Sequence, residues 1–181
     1  DGSFGLFGRG FRGQAPEALP RVTGKRRTAS GLLDRAADLV ASLGGIGLAP
    51  FAPGTAGSLA GCLALYPLRG SGAPLAAALL ALFPAAVWSA GRIAARAGKK
   101  DPPRVVIDEA FGMGLVLAAC PAGPEGLKSL LAGFALFRAM DVLKPPPLRA
   151  LERIPKGWGI VADDAGAALY SILLLALLGL T

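Results

Sequence analysis

The stretch "GIVADDAGAAL", residues 159–169, sets two adjacent carboxylates, Asp163 and Asp164, at the head of an apolar run. From Ala165 to Thr181 no residue is charged. A run of that length and composition reads as a helix lying in something apolar, either a protein core or a bilayer. Ionised acids that border a low-dielectric region are costly unless something neutralises them. Two questions follow: what surrounds the helix, and what offsets the acids.

Composition bears on the first. Hydrophobic residues make up 53% of the 181 positions, charged residues only 17%, and the mean hydropathy is positive. Ordinary soluble domains carry about 25% charged residues. A chain this short and this apolar is expected in a membrane. The net charge of +7 does not point to nucleic acid, because only 7% of the residues are aromatic and no polar basic face interleaves with them. An anionic membrane surface suits the charge better. There is no histidine, which removes Ser-His and Cys-His nucleophile pairs and His-ligated zinc. Cys62 and Cys120 sit in apolar runs and read as buried fillers.

Outward from the opening stretch, an amphipathic segment and four more apolar runs are visible. Residues 31–43 form an amphipathic helix with Leu32, Leu33, Ala36, Leu39, Val40 and Leu43 at helical spacing. Ser42 to Leu68 carries no charge and is interrupted by "APFAPGTAGS", 49–58, so that a new helix is expected near Ser58. Residues 73–97 form the second span, with Pro84 as a candidate kink; 105–120 the third; 127–143 the fourth; and about 160–180 the fifth. The expected fold is all-α: a membrane-embedded bundle of about five helices plus the amphipathic N-terminal helix, made by residues 31–181. Residues 1–30, rich in Arg, Gly and Pro, are expected to be a disordered basic arm.

Topology gives this reading a check. If each span crosses and the arm is cytoplasmic, that side receives seven Lys/Arg up to Arg35, five from Arg92 to Arg104 and five from Arg138 to Lys156. The other side receives Arg69 and Lys128. That is a strong positive-inside bias. The third and fourth spans hold only about 15 apolar residues, against the roughly 20 that a crossing needs. The same topology gathers "PGTAGS" (53–58), the acids at 108–109, "FRAMDVLK" (137–144) and Asp163-Asp164 at one mouth.

These clusters are what can carry chemistry. A single acid in a first helical turn is explained by the helix dipole. Asp108, Glu109, Asp141, Asp163 and Asp164 together suggest a shared cation, and oxygen ligands without His or thiolate suit Mg²⁺ or Mn²⁺. Arg138, Asp141 and Lys144 are spaced i, i+3, i+6, which fits an intrahelical ion-pair ladder or a phosphate clamp beside a metal-bound Asp. Thr55 and Ser58 of "PGTAGS" fit either a phosphate-binding turn or, for Ser58, a plain N-cap. No Gly-Lys-Ser/Thr follows, so this is not a Walker motif. Together the clusters describe phosphoryl chemistry at a membrane surface.

Four stretches, "PGTAGSLAG" (53–61), "IDEAFGM" (107–113), "FALFRAMDVLKPPPLRALE" (134–152) and "GWGIVADDAGAAL" (157–169), resemble the phosphatidylglycerophosphatase A family in order and spacing. Leu148 stands where Ile is common and Val161-Ala162 where Met often occurs, both apolar exchanges. The resemblance implies an all-helical, Mg²⁺-dependent enzyme of the bacterial inner (cytoplasmic) membrane. It implies a multi-pass chain whose active site faces the cytoplasm. Such an enzyme removes the terminal phosphate of phosphatidylglycerophosphate, a phospholipid, and leaves phosphatidylglycerol. On this reading the five acids gather the metal and one serves as general base, while Arg138, Lys144, Thr55 and Ser58 hold phosphate oxygens. A CDP-alcohol phosphotransferase is the first rival, but its Asp-Gly, Ala-Arg, Gly, Asp, Asp series is absent. A non-enzymatic ion carrier would place acids at mid-span, whereas these border the span ends. An inactive membrane scaffold is the remaining rival.

Overall fold

A computed structural model describes residues 29–151 and 153–181, and among these every regular element is helical. The expected basic arm, residues 1–30, falls almost wholly outside the described residues. Seven α-helices follow in order: α1 Ala29–Ala41, α2 Pro53–Leu65, α3 Ala73–Ala97, α4 Ile107–Ala119, α5 Glu125–Leu143, α6 Leu148–Leu151 and α7 Gly157–Leu177.

The centre of the bundle is α4. Nine of its 13 residues are buried, among them Ile107, Phe111, Met113, Val116 and Leu117. It packs against α2, α3, α5 and α7. Small residues let α2 come close to it: a Cβ at Gly57 would meet the Val106 side chain at 2.5 Å, and one at Gly61 would meet Ala110 Cβ at 2.5 Å. This changes the reading of "PGTAGS". The helix starts at Pro53 instead of near Ser58, because proline is tolerated in a first turn and the glycines serve as a packing face. Ser58 lies in the second turn, fully buried, and caps nothing.

Two helices, α3 with 25 residues and α7 with 21, are long and apolar enough to cross a membrane. Less than two fifths of either apolar window is buried inside the protein. Leu80 of α3 and Leu173 and Leu177 of α7 are exposed, as are Leu59 and Leu63 of α2 and Leu131 of α5. A water-facing surface rarely presents so many large apolar side chains; hydrocarbon accommodates them. Helices α2 and α4 have 13 residues each, a rise of about 20 Å, and so fall short of the roughly 30 Å hydrocarbon layer. Full crossings by all the expected spans are therefore not built into the helix lengths.

The amphipathic helix α1 also departs from the simplest expectation. Ala37 and Ala41 are its buried residues, while Leu32, Leu33 and Leu39 are exposed. Its acids are fastened to α3 and the loop beyond it: Asp34 accepts from Arg92 Nε at 2.7 Å, Asp38 from Arg96 Nη2 at 2.8 Å, and Arg104 Nη2 lies 3.3 Å from Asp38. The hydrogen bond from Arg92 holds the Asp34 carboxyl below its ordinary pKa. The leucines of α1 thus face outward, and its charged side faces the protein.

At one end of the bundle Arg69, after α2, donates to the carbonyls of Pro121 and Gly123 in the α4–α5 loop. The opposite end carries the C-termini of α3 and α5 and the N-termini of α4 and α7. The expected convergence of acidic stretches occurs there.

Candidate active site

Each of the four converging helix ends contributes to one cleft of about 730 Å³. From α3 and its exit come Gly98, Lys99 and Lys100; from α4, Asp108 and Glu109; from α5, Asp141 and Lys144; from α7, Asp163 and Asp164. Asp108, Asp163 and Asp164 are buried, and Glu109 and Asp141 half-buried.

The acids form two adjoining groups. Asp108, Glu109 and Asp164 bring carboxylate oxygens within 4.8 Å of one another, and so do Asp141, Asp163 and Asp164. Asp164 belongs to both. Asp108 Oδ1, Glu109 Oε2 and Asp164 Oδ2 are buried oxygens with no hydrogen-bond partner among the described residues. Buried carboxylate oxygens are normally satisfied, so orphaned oxygens on three acids gathered this closely fit a cation that is bound by hard oxygen ligands. The five expected acids are therefore brought together, and the donor set suits a metal.

The cations divide differently from the expected ladder. Arg138 Nη1 lies 2.9 Å from Asp141 Oδ2, one turn along α5, so that rung is present. The same nitrogen donates to Ser58 Oγ at 3.3 Å, and Ser58 in turn donates to the Gly54 carbonyl at 2.9 Å. Lys144 instead ends α5 in a left-handed conformation, φ 47, and its ammonium reaches Asp163 Oδ2 on α7 at 2.5 Å. Helix α5 stops at Leu143, ahead of the three prolines, so Lys144 leaves the helical register and turns towards α7. Tyr170 of α7 ties this turn down by donating to the Pro146 carbonyl at 2.7 Å.

Of the four expected phosphate ligands, Lys144 lines the cleft, whereas Arg138, Thr55 and Ser58 do not. Ser58 is fully buried and supports Arg138 rather than facing the cleft. Thr55 is half-buried on α2 and does not line the cleft. Gly54 acquires a role that its sequence context did not announce: a Cβ there would meet Glu109 Oε1 and lie 3.0 Å from Arg138 Nη2. Its missing side chain is the space that these two groups occupy. Lys99, Lys100, Arg153 and Lys156 also line the cleft; in the sequence they counted only as topology-setting charge. Leu148 of short α6 is buried and packs over Gly166 of α7.

With this geometry in hand, comparison with known proteins is informative. The family model for phosphatidylglycerophosphatase A matches residues 39–179, a range that contains every cleft residue named above. The chain belongs to the phosphatidylglycerophosphatase A family. Family membership makes it a phosphatase, as the resemblance implied. Two relatives carry the family name. One from Haemophilus influenzae is 39% identical over 132 residues, 71% of this chain and 80% of the relative. One from Escherichia coli is 34% identical over 137 residues, 75% of this chain and 78% of the relative. A Bacteroides thetaiotaomicron protein, provisionally named a phosphatidylinositol-3-phosphatase, is 41% identical over 138 residues, 73% of this chain and 86% of that protein. No solved structure matches the chain significantly.

Proposed function

We propose that this phosphatidylglycerophosphatase A family member hydrolyses the terminal phosphomonoester of phosphatidylglycerophosphate with Mg²⁺ as cofactor, at the cytoplasmic face of a bacterial inner membrane that it crosses more than once. The observation that carries the reading is the pair of buried carboxylate groups joined at Asp164, with three orphaned oxygens, in one cleft with Arg138's partner Asp141 and with Lys144.

Asp108, Glu109, Asp141 and Asp164 would hold the ion, and Asp163, fixed by Lys144, would flank it. Magnesium bound there would neutralise phosphate charge and polarise a water molecule. The protein's own contribution is orientation. Arg138 is held from two sides, by Asp141 and by Ser58; it stands behind Asp141, outside the cleft lining, and holds that carboxylate in place. Lys144 sits beside the acids and offers a second positive charge to the phosphoryl group as charge moves onto its oxygens. One carboxylate accepts a proton from the attacking water as its oxygen bonds to phosphorus; the P–O bond to glycerol breaks, and the leaving glycerol oxygen takes up a proton from water. Burial of the acids keeps bulk water from screening these interactions.

The membrane placement rests on α3, α7 and the positive-inside bias. Residues 31–181 would form one phosphatase domain, with residues 1–30 a separate basic arm.

Phosphate release from phosphatidylglycerophosphate, measured with purified protein in the presence of Mg²⁺ or of EDTA, tests the reading. Release that depends on Mg²⁺ supports it. Equal rates in both conditions, or none in either, would sink it. The name of the Bacteroides relative makes phosphatidylinositol 3-phosphate the natural second lipid in the assay; a marked preference for that lipid would transfer the reading to it.

A further inference from the structure

The cleft is charged in two layers. The acids that would hold a cation are buried or half-buried, whereas Lys99, Lys100, Arg153 and Lys156 line the same cleft and are exposed. They come from two loops that face each other across its mouth, the α3 exit and the α6–α7 connection. Among the described residues one acid, Asp101, shares that mouth. Four cations against one acid make the mouth an anion site in its own right, separate from Arg138 and Lys144.

Lys156 adds a second observation. Its backbone has φ 64 and ψ −153, a region that side chains other than hydrogen rarely adopt. The following Gly157 is packed so closely against α3 that a Cβ there would strike the Val87 carbonyl and lie 2.7 Å from Gly91 N. This close crossing fixes the bend of the chain at Lys156. Glycine would satisfy the bend with less strain, yet a lysine stands there with its side chain in the cleft.

We propose that Lys99, Lys100, Arg153 and Lys156 bind the phosphodiester of the substrate lipid, and so select lipids that carry a second phosphate one glycerol away from the scissile one. The inference rests on the proposed function. A phosphodiester carries a single negative charge at every physiological pH and needs no metal. A mouth of flexible cations suits it, while the monoester goes deeper, to the acids and to Lys144. The phosphodiester also marks the depth of the headgroup region, where the diacylglycerol moiety re-enters the bilayer. Exposed Trp158 and Ile154 stand beside Lys156 and Arg153, and an apolar and cationic mixture of this kind is suited to that interface.

The test uses Lys156→Gly and Arg153→Gln, assayed in nonionic micelles where the substrate is the only phospholipid. Three quantities are read: kcat and KM for phosphatidylglycerophosphate, inhibition by phosphatidylglycerol, which keeps the phosphodiester and lacks the monoester, and inhibition by inorganic phosphate. The expected result is KM raised about tenfold with kcat within about twofold, the pattern of a lost uniform binding contact. Phosphatidylglycerol inhibition should weaken by a similar factor and phosphate inhibition should not change. Lys156→Gly should at the same time melt no lower than wild type, which separates lost binding from lost folding. A fall in kcat at unchanged KM, or equal weakening of both inhibitors, would overturn the inference, because the cations would then act on the monoester. A defect that appears only when anionic lipid is added to the micelles would also overturn it, by assigning the site to the surrounding bilayer. Absence of phosphate release by the wild type would instead refute the function on which it rests.

Discussion

Replacing Asp164 by Asn should raise the stability of the metal-free protein and abolish what metal does for it. Asp164 belongs to both carboxylate groups, and its partners' oxygens lie within 4.8 Å. Two like charges at that separation repel by on the order of 3 kcal/mol at an effective dielectric constant of about 20. Side-chain relaxation and counter-ions absorb part of this, so removal of one charge should leave a net gain of about 1–2 kcal/mol in EDTA. Asn keeps the shape of Asp and can donate to an orphaned neighbour, which avoids a cavity. With Mg²⁺ the order should reverse: ligand binding stabilises the folded state by RT times the logarithm of one plus the ratio of ligand concentration to Kd, more for the tighter site, and wild type has the full ligand set. The assay is thermal unfolding of both proteins in detergent, with EDTA and across a Mg²⁺ titration, beside phosphate release. Expected are a higher melting temperature for Asp164→Asn in EDTA, a Mg²⁺-dependent rise for wild type only, and a loss of activity of about 100-fold or more. A variant that melts at or below wild type in EDTA, together with a wild type indifferent to Mg²⁺, would refute the idea that these acids are held together for a cation.

Three other outcomes are expected. Gly54→Ala should fold normally but lose about 10- to 100-fold in kcat/KM, since its methyl group would displace the ends of Glu109 and Arg138 rather than backbone; unchanged kinetics would show that neither group is held to a fixed position. Gly61→Leu should prevent proper packing, because the obstacle there is Ala110 of α4, including its backbone, and overpacking of that kind costs about 1–3 kcal/mol or more; a folded-protein yield equal to wild type in size-exclusion chromatography would contradict the α2–α4 contact. Asp34→Asn should lower stability at neutral pH but not in acid. The folded carboxyl titrates below the unfolded value of 3.8, so its contribution is present above that value and fades as pH falls through the lower, folded one. The difference between variant and wild type in denaturant melts should therefore be constant from pH 5 to 8 and shrink below about 4. A constant difference down to pH 2 would remove the Arg92 pairing as its cause.

Ser58 shows why some of the site was hidden in the sequence. A serine after Gly-Thr-Ala-Gly reads as a cap or an anion ligand, because local pattern is all that a sequence displays. Its actual surroundings are set by α4 and α5, from which Arg138, 80 positions away, donates to it. Lys144 was legible as a site residue, but its partner was not. Helical spacing pairs it with Asp141, and only the end of α5 at Leu143 and the left-handed turn that follows send it to Asp163. Lys156 was counted as one of many basic residues; the strained backbone that singles it out is a property of the close α3–α7 crossing.

Much else was determined by the sequence alone. Charge-free runs bounded by glycine and proline fixed the helices to within a few residues, since backbone polar groups in apolar surroundings must be satisfied within the helix. Simple alternation of those runs put four helix ends on one side, with the asymmetry of Lys and Arg as its check, and the acids Asp108, Glu109, Asp141, Asp163 and Asp164 do line one cleft. What the tertiary structure decided is which of the two opening acids stands at the centre. Successive residues on a helix point about 100° apart, so Asp163 and Asp164, although both in the group with Asp141, differ in their other neighbours. Asp163 meets Lys144, whereas Asp164 faces both acidic groups with an oxygen left unbonded. Periodicity places a residue on a helix, but only the packing of the neighbouring helices decides what that residue meets.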